Sequence, residues 1–238
     1  MAEEFPEFEV EFVEFLFKQS VLKFGDFTLN SGRKSPYFLN LGEVNTAEGL
    51  IQLGNSYAKL IGHHVDNGDI PEPTFLFGPA YKGIPLAVAT GMRLYDSRGI
   101  NTRFGADRKE EKQHGEVAKF LGATPTNEDR VVIIEDVFTT GGTKETAREN
   151  ILSAAPDANI CAIIIAADRY EALEGSGDTA IAAFREKYGI PTFSVTNAYN
   201  LRDILHNRKV NGVIALNDEN KAAIDEYLAK HGVNKEVD

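Results

Sequence analysis

The sequence predicts an α/β fold: a central, mostly parallel sheet flanked by helices, with a small N-terminal hood. Two observations carry that prediction. From Thr74 onward, short apolar runs of strand length alternate with longer stretches of helical spacing. The runs themselves, above all Val131-Val132-Ile133-Ile134 and Ile160 to Ala167, are continuously apolar, as strands are when helices cover both faces of a parallel sheet. Length sets a bound as well. A chain of 238 residues is one large domain or two small ones, long enough to bury roughly 70% of its unfolded surface without disulfides or metals.

Taken in order, Phe8, Phe12, Phe15 and Leu16 fall on one helical face with acidic residues opposite, which predicts an amphipathic helix. Phe24 to Leu41, rich in Gly, Ser and aromatics and broken by Pro36, predicts turns and short strands. Thr46 to Ile61 has helical spacing in Leu50, Leu53, Tyr57, Leu60 and Ile61. Thr74 to Phe77 is a strand stopped by Gly78, Ile84 to Tyr95 a helix, and Thr102 to Gly105 a further strand. Val131 to Ile134 is the clearest buried strand and leads through Gly141-Gly142 into a helix reaching Ile151. Ile160 to Ala167, Thr179 to Tyr188 and Thr192 to Val195 follow as strand, helix and strand. Asp66 to Pro73 and Gly122 to Asp129 read as connectors, too short for interdomain linkers. The organisation expected is one domain over 1–238, with the hood at about 1–45 and a helical tail at about 197–238. No self-similarity at 20–50 residues points to a solenoid or propeller.

Composition narrows the function. Hydrophobic residues make up 42% and charged residues 26%, which is ordinary for a globular domain. Lys plus Arg number 25 against 36 Asp plus Glu, a net charge of −11. Such a surface repels nucleic acid and anionic lipid, so a phosphate site must be a local basic island. The single Cys and an acidic N-terminus without the basic start of a signal peptide point to the cytoplasm. The longest apolar stretch, Ile160 to Ala167, is too short to span a bilayer as a helix.

Val131 to Thr143 carries the most chemical information. Adjacent carboxylates, Glu135 and Asp136, end the buried strand at the edge where open α/β sheets bind ligands. Val137, Phe138 and then Thr139-Thr140-Gly141-Gly142-Thr143 lead into the next helix. Backbone N–H groups, hydroxyls and the positive helix end form an anion cradle there. It is neither a Walker loop nor Gly-x-Gly-x-x-Gly. Acids beside an anion cradle suit a ligand that brings hydroxyls or a metal along with its phosphate. A ribose phosphate does, its phosphate in the cradle and its ring hydroxyls donating to Glu135 and Asp136.

Other charged groups accompany this segment. Arg108, Lys109, Lys112 and His114 bring three fixed charges and one titratable group within seven residues, between Gly105 and Gly115 as candidate hinges of a lid. Glu110, Glu111 and Glu116 offset that charge, so alone the run also reads as a solvated loop. Tyr81-Lys82 and Arg169 each lie just past the C-terminal end of a strand. Cys161, inside an apolar run, reads as a small buried hydrophobe. His63, His64 and His206 lack zinc-ligand spacing.

The stretch from Val131 to Thr143 resembles the phosphoribosyl-diphosphate signature of the type I phosphoribosyltransferases. Within that family, Phe27 to Phe38 (Phe-Thr-Leu-Asn-Ser-Gly-Arg-Lys-Ser-Pro-Tyr-Phe) and Arg108 to Gly115 resemble orotate phosphoribosyltransferases. The likeness runs in the family's order from about Phe12 to Val195. It implies that 5-phosphoribosyl 1-diphosphate and orotate become orotidine 5′-phosphate and diphosphate, in pyrimidine nucleotide synthesis. Mg²⁺ is then held mainly by the substrate diphosphate, with no direct protein ligand. The resemblance gives Arg108, Lys112, His114, Glu135 and Asp136 the catalytic positions. It gives phosphoribosyl-diphosphate binding to Asn30, Tyr81, Lys82, Lys109 and the cradle Val137, Phe138, Thr139, Thr140, Gly141, Gly142 and Thr143. Orotate falls to Phe38, Leu39, Thr139 and Arg169. A homodimer is implied too, with the lid loop, about Asp107 to Phe120, reaching the neighbouring site; extended at roughly 3.3 Å per residue it is long enough to cross an interface.

The chemistry agrees with those residue types. Breaking the ribose C1–O bond builds positive charge on the sugar and negative charge on the diphosphate, which calls for cations and a metal at the leaving group. Three positions depart from the family pattern. Asn30 stands where bacterial members commonly carry Lys, Phe38-Leu39 replaces Phe-Phe, and the cradle differs from Thr-Ala-Gly-Thr-Ala. A phosphoribosyltransferase for a purine or uracil is the first rival, disfavoured because a neutral base needs no carboxylate partner such as Arg169. The second rival, a regulator that senses phosphoribosyl diphosphate and binds nucleic acid, is disfavoured by the charge of −11.

Overall fold

The computed structural model describes residues 5–29, 32–108, 119–138, 141–173 and 175–233. Helix α1 (Glu7–Lys18) buries Phe12, Val13, Phe15 and Leu16, as the spacing predicts. Glu9 departs from the amphipathic expectation. It is buried, and its Oε1 accepts from Thr196 Oγ1 at 2.9 Å and Asn200 Nδ2 at 2.8 Å, because a second flank of α1 packs on elements from the end of the chain. Strands β1 (Leu22–Thr28) and β2 (Lys34–Leu39) pair antiparallel as a separate two-stranded hood. Pro36 lies in β2 opposite an irregularity between Phe24 and Phe27, a position that tolerates a residue without an N–H. A 3-10 turn (Leu41–Glu43) leads to α2 (Ala47–Asp66), whose N-cap Thr46 accepts from Gly49 N. The helix runs past Ile61 because its polar last turn still packs: His64 stacks on Phe193 with ring centroids 3.7 Å apart.

Next come β3 (Phe75–Phe77), α3 (Gly83–Arg98), β4 (Arg103–Asp107), β5 (Phe120–Gly122), β6 (Arg130–Ile134), α4 (Gly142–Ala154), β7 (Asn159–Asp168), α5 (Ala180–Tyr188) and β8 (Thr192–Asn197). Six of these strands form one sheet in the order β5-β4-β3-β6-β7-β8, parallel except for β5 against β4. The edge strand β5 falls where the sequence predicts lid and connector; three residues carry too little periodicity to announce a strand. The rest of that connector is tied down by Asp129, which accepts from Thr74, Thr126 and Arg103.

Successive residues of β6 serve two cores. Val132 and Ile134 join Leu76, Ile164, Leu53, Tyr57 and Leu86 on the α2–α3 side. Val131 and Ile133 join Phe75, Phe77, Ile163, Ile151 and Phe184 on the α4–α5 side. Each such side chain contributes about 1.5–3 kcal/mol on burial. That double burial is why the run is unbroken by polar residues.

The tail holds α6 (Ala198–Leu205), β9 (Lys209–Val210), β10 (Val213–Ile214) and α7 (Asp218–His231). It was expected to be helical throughout, yet β9 and β10 form a hairpin turned by Asn211 and Gly212, at φ 51° and 81°. An Asn-Gly pair with positive φ at both positions suits the tightest hairpin turns. Helix α7 returns to the hood, where Tyr227 meets Tyr37 edge-on at 6.0 Å.

The connectivity locates a crevice. From β3 the chain moves to β4 on one side and then crosses to β6 on the other. The C-terminal ends of β3 and β6 therefore flank the topological switch point, where open α/β sheets bind ligands.

Candidate active site

Two loops meet at the switch point. After β3, Gly78 and Gly83 touch so closely that a Cβ on Gly78 would lie 2.2 Å from the Gly83 carbonyl oxygen. The backbone between them is pinned from β4: Gly78 N donates to Gly105 O at 2.9 Å and Ala80 N to Asp107 Oδ1 at 2.7 Å. This tight loop presents exposed Tyr81 and Lys82 at the start of α3. After β6, Val137 still bridges to Ala167, and Phe138 is buried edge-on against Phe184 at 5.6 Å. Gly141, at φ 85°, then turns the chain into α4, leaving Gly142 and Thr143 exposed at the helix N-terminus. First-turn N–H groups lack intrahelical acceptors and carry the positive end of the helix dipole, so this end attracts an anion.

Across the crevice Lys82 Nζ donates to Asp136 Oδ2 at 3.0 Å, and Asp136 Oδ1 accepts from Val137 N at 2.7 Å. Glu135 has a different environment. Its Oε2 lies 2.6 Å from Lys144 Nζ, which also donates to Val137 O at 2.6 Å; both side chains are almost fully buried, at 8% and 4% exposure. Burial pushes the Glu135 carboxyl up while Lys144 pulls it down. From α2, Tyr57 Oη donates to the Glu135 carbonyl at 2.7 Å. The sequence reading aims both acids at a ribose; here Asp136 meets Lys82 and Val137 N, and Glu135 meets Lys144. Lys144 was not singled out from the sequence. A cation in the first turn of a helix opposes the helix dipole, and that oddity was the available signal.

Arg108 closes the hairpin of β4 and β5, its Nε donating to Phe120 O at 3.2 Å. Gly105 does not sit where a hinge would. It lies inside β4, where a Cβ would come within 2.5 Å of Ala123 O and 2.6 Å of the Phe75 ring, so it serves close packing. Asn30, Lys109, Lys112, His114, Gly115, Thr139 and Thr140 lie outside the described residues.

A second cluster forms under the hood. Arg169 Nε donates to Glu171 Oε1 at 2.7 Å and Nη2 to Ser35 Oγ at 3.0 Å, with the guanidinium 4.2 Å over the Tyr37 ring. Burial pulls Arg169 down, but Tyr37 and Glu171 outweigh it and hold the guanidinium above its ordinary value. Arg33 Nη1 donates to Glu171 Oε2 at 3.1 Å. Of these residues the sequence reading gives a role to Arg169 and quotes Arg33, Ser35 and Tyr37 within the Phe27 to Phe38 motif; Glu171 it does not single out. Phe38, on the opposite face of β2 from Tyr37, stacks on Phe27 at 5.5 Å, and Leu39 packs against the core. Cys161 is buried and its thiol is pushed up to about 11, which leaves it unreactive at neutral pH.

No family model matches the chain, but individual proteins match nearly all of it. An orotate phosphoribosyltransferase of Agathobacter rectalis is 42% identical over 226 residues, 94% of this chain and 98% of that protein. One of Clostridium beijerinckii is 40% identical over 226 residues, with the same coverage of 94% and 98%. The crystal structure of an orotate phosphoribosyltransferase from Francisella tularensis superposes with a TM-score of 0.76 at 33% identity, covering 93% of this chain and 98% of that one. Coverage this complete extends the likeness into the tail, beyond the Val195 limit of the sequence motifs. With the switch-point crevice and the mostly parallel sheet, the similarity establishes that the chain belongs to the orotate phosphoribosyltransferase family.

Proposed function

We propose that the chain transfers the 5-phosphoribosyl group from 5-phosphoribosyl 1-diphosphate to orotate, giving orotidine 5′-phosphate and diphosphate for pyrimidine nucleotide synthesis. The observation that carries the residue assignment is the Lys82–Asp136 contact across the switch point, beside the exposed N-terminus of α4. One crevice thus offers a cation, an acceptor for ribose hydroxyls and a seat for a phosphate. The 5′-phosphate sits on the cradle of Thr139 to Thr143, and Asp136 accepts from the ring. Lys82, 57% exposed, exchanges Asp136 for diphosphate oxygens at little cost, since an exposed ion pair is worth at most about 1 kcal/mol. As the C1–O bond breaks, Lys82, Arg108, Lys109, Lys112 and His114 stabilise the charge growing on the diphosphate. Arg169 pairs with the orotate carboxylate and turns the base toward C1. Glu135 acts from beneath, holding Lys144 and so the first carbonyl of the cradle.

The residues fit a Mg²⁺ ion that arrives on its substrate. Asp136, which accepts from Lys82 and from Val137 N in the crevice, is the carboxylate that would meet the ion. When bound, the metal neutralises diphosphate oxygens. A homodimer accounts for an apolar stripe on α3, where Val88, Met92 and Tyr95 are 38%, 62% and 59% exposed at helical spacing, beside Ile51 of α2 at 50%. No helix among the described residues is long and apolar enough to cross a membrane.

The test is loss of orotate absorbance with phosphoribosyl diphosphate and Mg²⁺, run beside uracil, adenine and hypoxanthine. Orotate alone should turn over. Equal turnover of a neutral base sinks the assignment of Arg169 to a carboxylate.

A further inference from the structure

We infer that Tyr227, carried on the C-terminal helix α7, is a positioning residue for the orotate site, acting through Glu171 to set the Arg169 guanidinium. The inference rests on the proposed pairing of Arg169 with the orotate carboxylate.

Three separate parts of the chain meet at Glu171. Its Oε1 accepts from Arg169 Nε at 2.7 Å and from Tyr227 Oη at 2.6 Å, while Oε2 accepts from Arg33 Nη1 at 3.1 Å. The carboxylate is thus shared between a guanidinium of the hood and one at the end of β7. Left to those two alone, it has no fixed orientation, because either arginine is able to take both oxygens as a fork. The Tyr227 hydroxyl breaks that degeneracy by committing Oε1 to the Arg169 side, where it also interacts with the guanidinium directly. The same ring meets Tyr37 edge-on at 6.0 Å with planes 86° apart, and Tyr37 is the surface on which the Arg169 guanidinium lies. One residue of the tail therefore sets both the in-plane acceptor of Arg169 and the ring beneath it.

The end of α7 is held at this spot by backbone as well. Ala172 N donates to His231 O at 2.9 Å and Val233 N to Tyr170 O at 2.8 Å, on either side of a Glu171–Gly232 bridge. Tyr227 is consequently delivered to Glu171 by a docked helix rather than by a free terminus. A guanidinium free to rotate pays side-chain entropy each time it meets a ligand. Fixed in place beforehand, it binds a planar carboxylate at lower cost, and the benefit falls on orotate alone.

Tyr227→Phe keeps the ring and removes only the hydroxyl; Glu171→Gln keeps the shape and removes the charge. Both should raise the KM for orotate, Tyr227→Phe by about tenfold, the effect of one hydrogen bond to a charged group. The KM for phosphoribosyl diphosphate, kcat and the melting temperature should stay near wild type. Arg169→Ala should raise the orotate KM at least as much, and adding Tyr227→Phe to it should change nothing more, because the two act in series. An unchanged orotate KM in Tyr227→Phe and Glu171→Gln, with a raised one in Arg169→Ala, overturns the inference and leaves the role of Arg169 standing. An unchanged orotate KM in Arg169→Ala overturns both. Equal rises in both substrates' KM, or further loss in the double variant, make Tyr227 a packing residue and also overturn it.

Discussion

Replacing Lys144 by Met tests whether the phosphate cradle rests on a buried ion pair. Met keeps most of the side-chain volume, so a cavity contributes little. What is lost is the ammonium that lies 2.6 Å from both Glu135 Oε2 and Val137 O. Removing one partner of a buried pair costs about 3–5 kcal/mol, because the other charge is stranded. For a chain of this size that lowers the thermal midpoint by about 6–20 °C, at roughly 2–4 °C per kcal/mol. The penalty has a defined pH dependence. Burial already pushes the Glu135 carboxyl up, with Lys144 opposing; without Lys144 it rises further above its unfolded value. A raised carboxyl binds its proton more tightly when folded, so the variant's deficit is greatest at neutral pH and shrinks as the pH falls toward the ordinary value of 4.5. Urea unfolding at about pH 7.5 and about pH 5.5 reads both effects. Adding Glu135→Gln should recover most of the loss, as neutralising a stranded charge must. A single variant within about 1 kcal/mol of wild type at the higher pH, with an unchanged m-value, refutes the reasoning.

Asp136→Asn should lower kcat on the order of 10²-fold without changing the melting temperature, since on the proposed function it removes a charge at the reacting centre and not a core group; unaltered kcat and KM would mean that Asp136 serves only to accept from Lys82 and Val137 N. Burial pushes Asp129 up, but Arg103, Thr126 and Thr74 outweigh it and hold the carboxyl below its ordinary 3.8. Its contribution therefore stands above that pH and is lost as the pH falls through the lower folded value, so acid unfolding followed by circular dichroism should be shallower in Asp129→Asn. Lys112→Ala and Asp136→Asn homodimers should each be nearly inactive, and after subunit exchange their mixture should recover about a quarter of wild-type activity through one intact shared site in half the dimers. No recovery, with exchange confirmed by mass, would place the loop over its own subunit's site.

What was legible in the sequence follows the strength of the local signal. Val131 to Ile134 and Cys161 to Ala167 are buried on both faces, so the composition of these runs alone announced central strands of a parallel sheet. Thr46 and Thr179 mark helix starts through side chains that accept from backbone N–H groups, and both helices begin immediately after them. The strand β5 and the hairpin of β9 and β10 are too short to show a period, and they form because a neighbour supplies the ladder. Around the crevice and under the hood, side chains next to a motif are placed by the sequence and those brought in from afar are not. Asp136, Lys82 and Arg169 follow strand ends, whereas Glu171 meets Tyr227 only when the tail closes over the end of β7. No spacing encodes that meeting.

The parting of Glu135 from Asp136 was nonetheless within reach of the sequence. Successive side chains of a strand point to opposite faces. Along β6 that rule sends Val131 and Ile133 to the α4–α5 core and Val132 and Ile134 to the α2–α3 core. Val137 still pairs with Ala167, so the extended backbone continues through the acids, and Glu135 must fall on the α4 side with Asp136 on the α3 side. Their partners obey this: Lys144 belongs to α4, and Lys82 precedes α3. Adjacent acids at the end of a fully covered strand therefore divide the work. One of them meets the underside of the following helix, where a buried carboxylate is tolerated only with a cation beside it. The other opens toward the crevice, where it pairs with a solvent-exposed Lys that, on the proposed function, is released to an incoming phosphate. The pair of acids looks like one motif in the sequence, but the pleat divides it into a buried anchor beneath α4 and a carboxylate that meets an exposed Lys in the crevice.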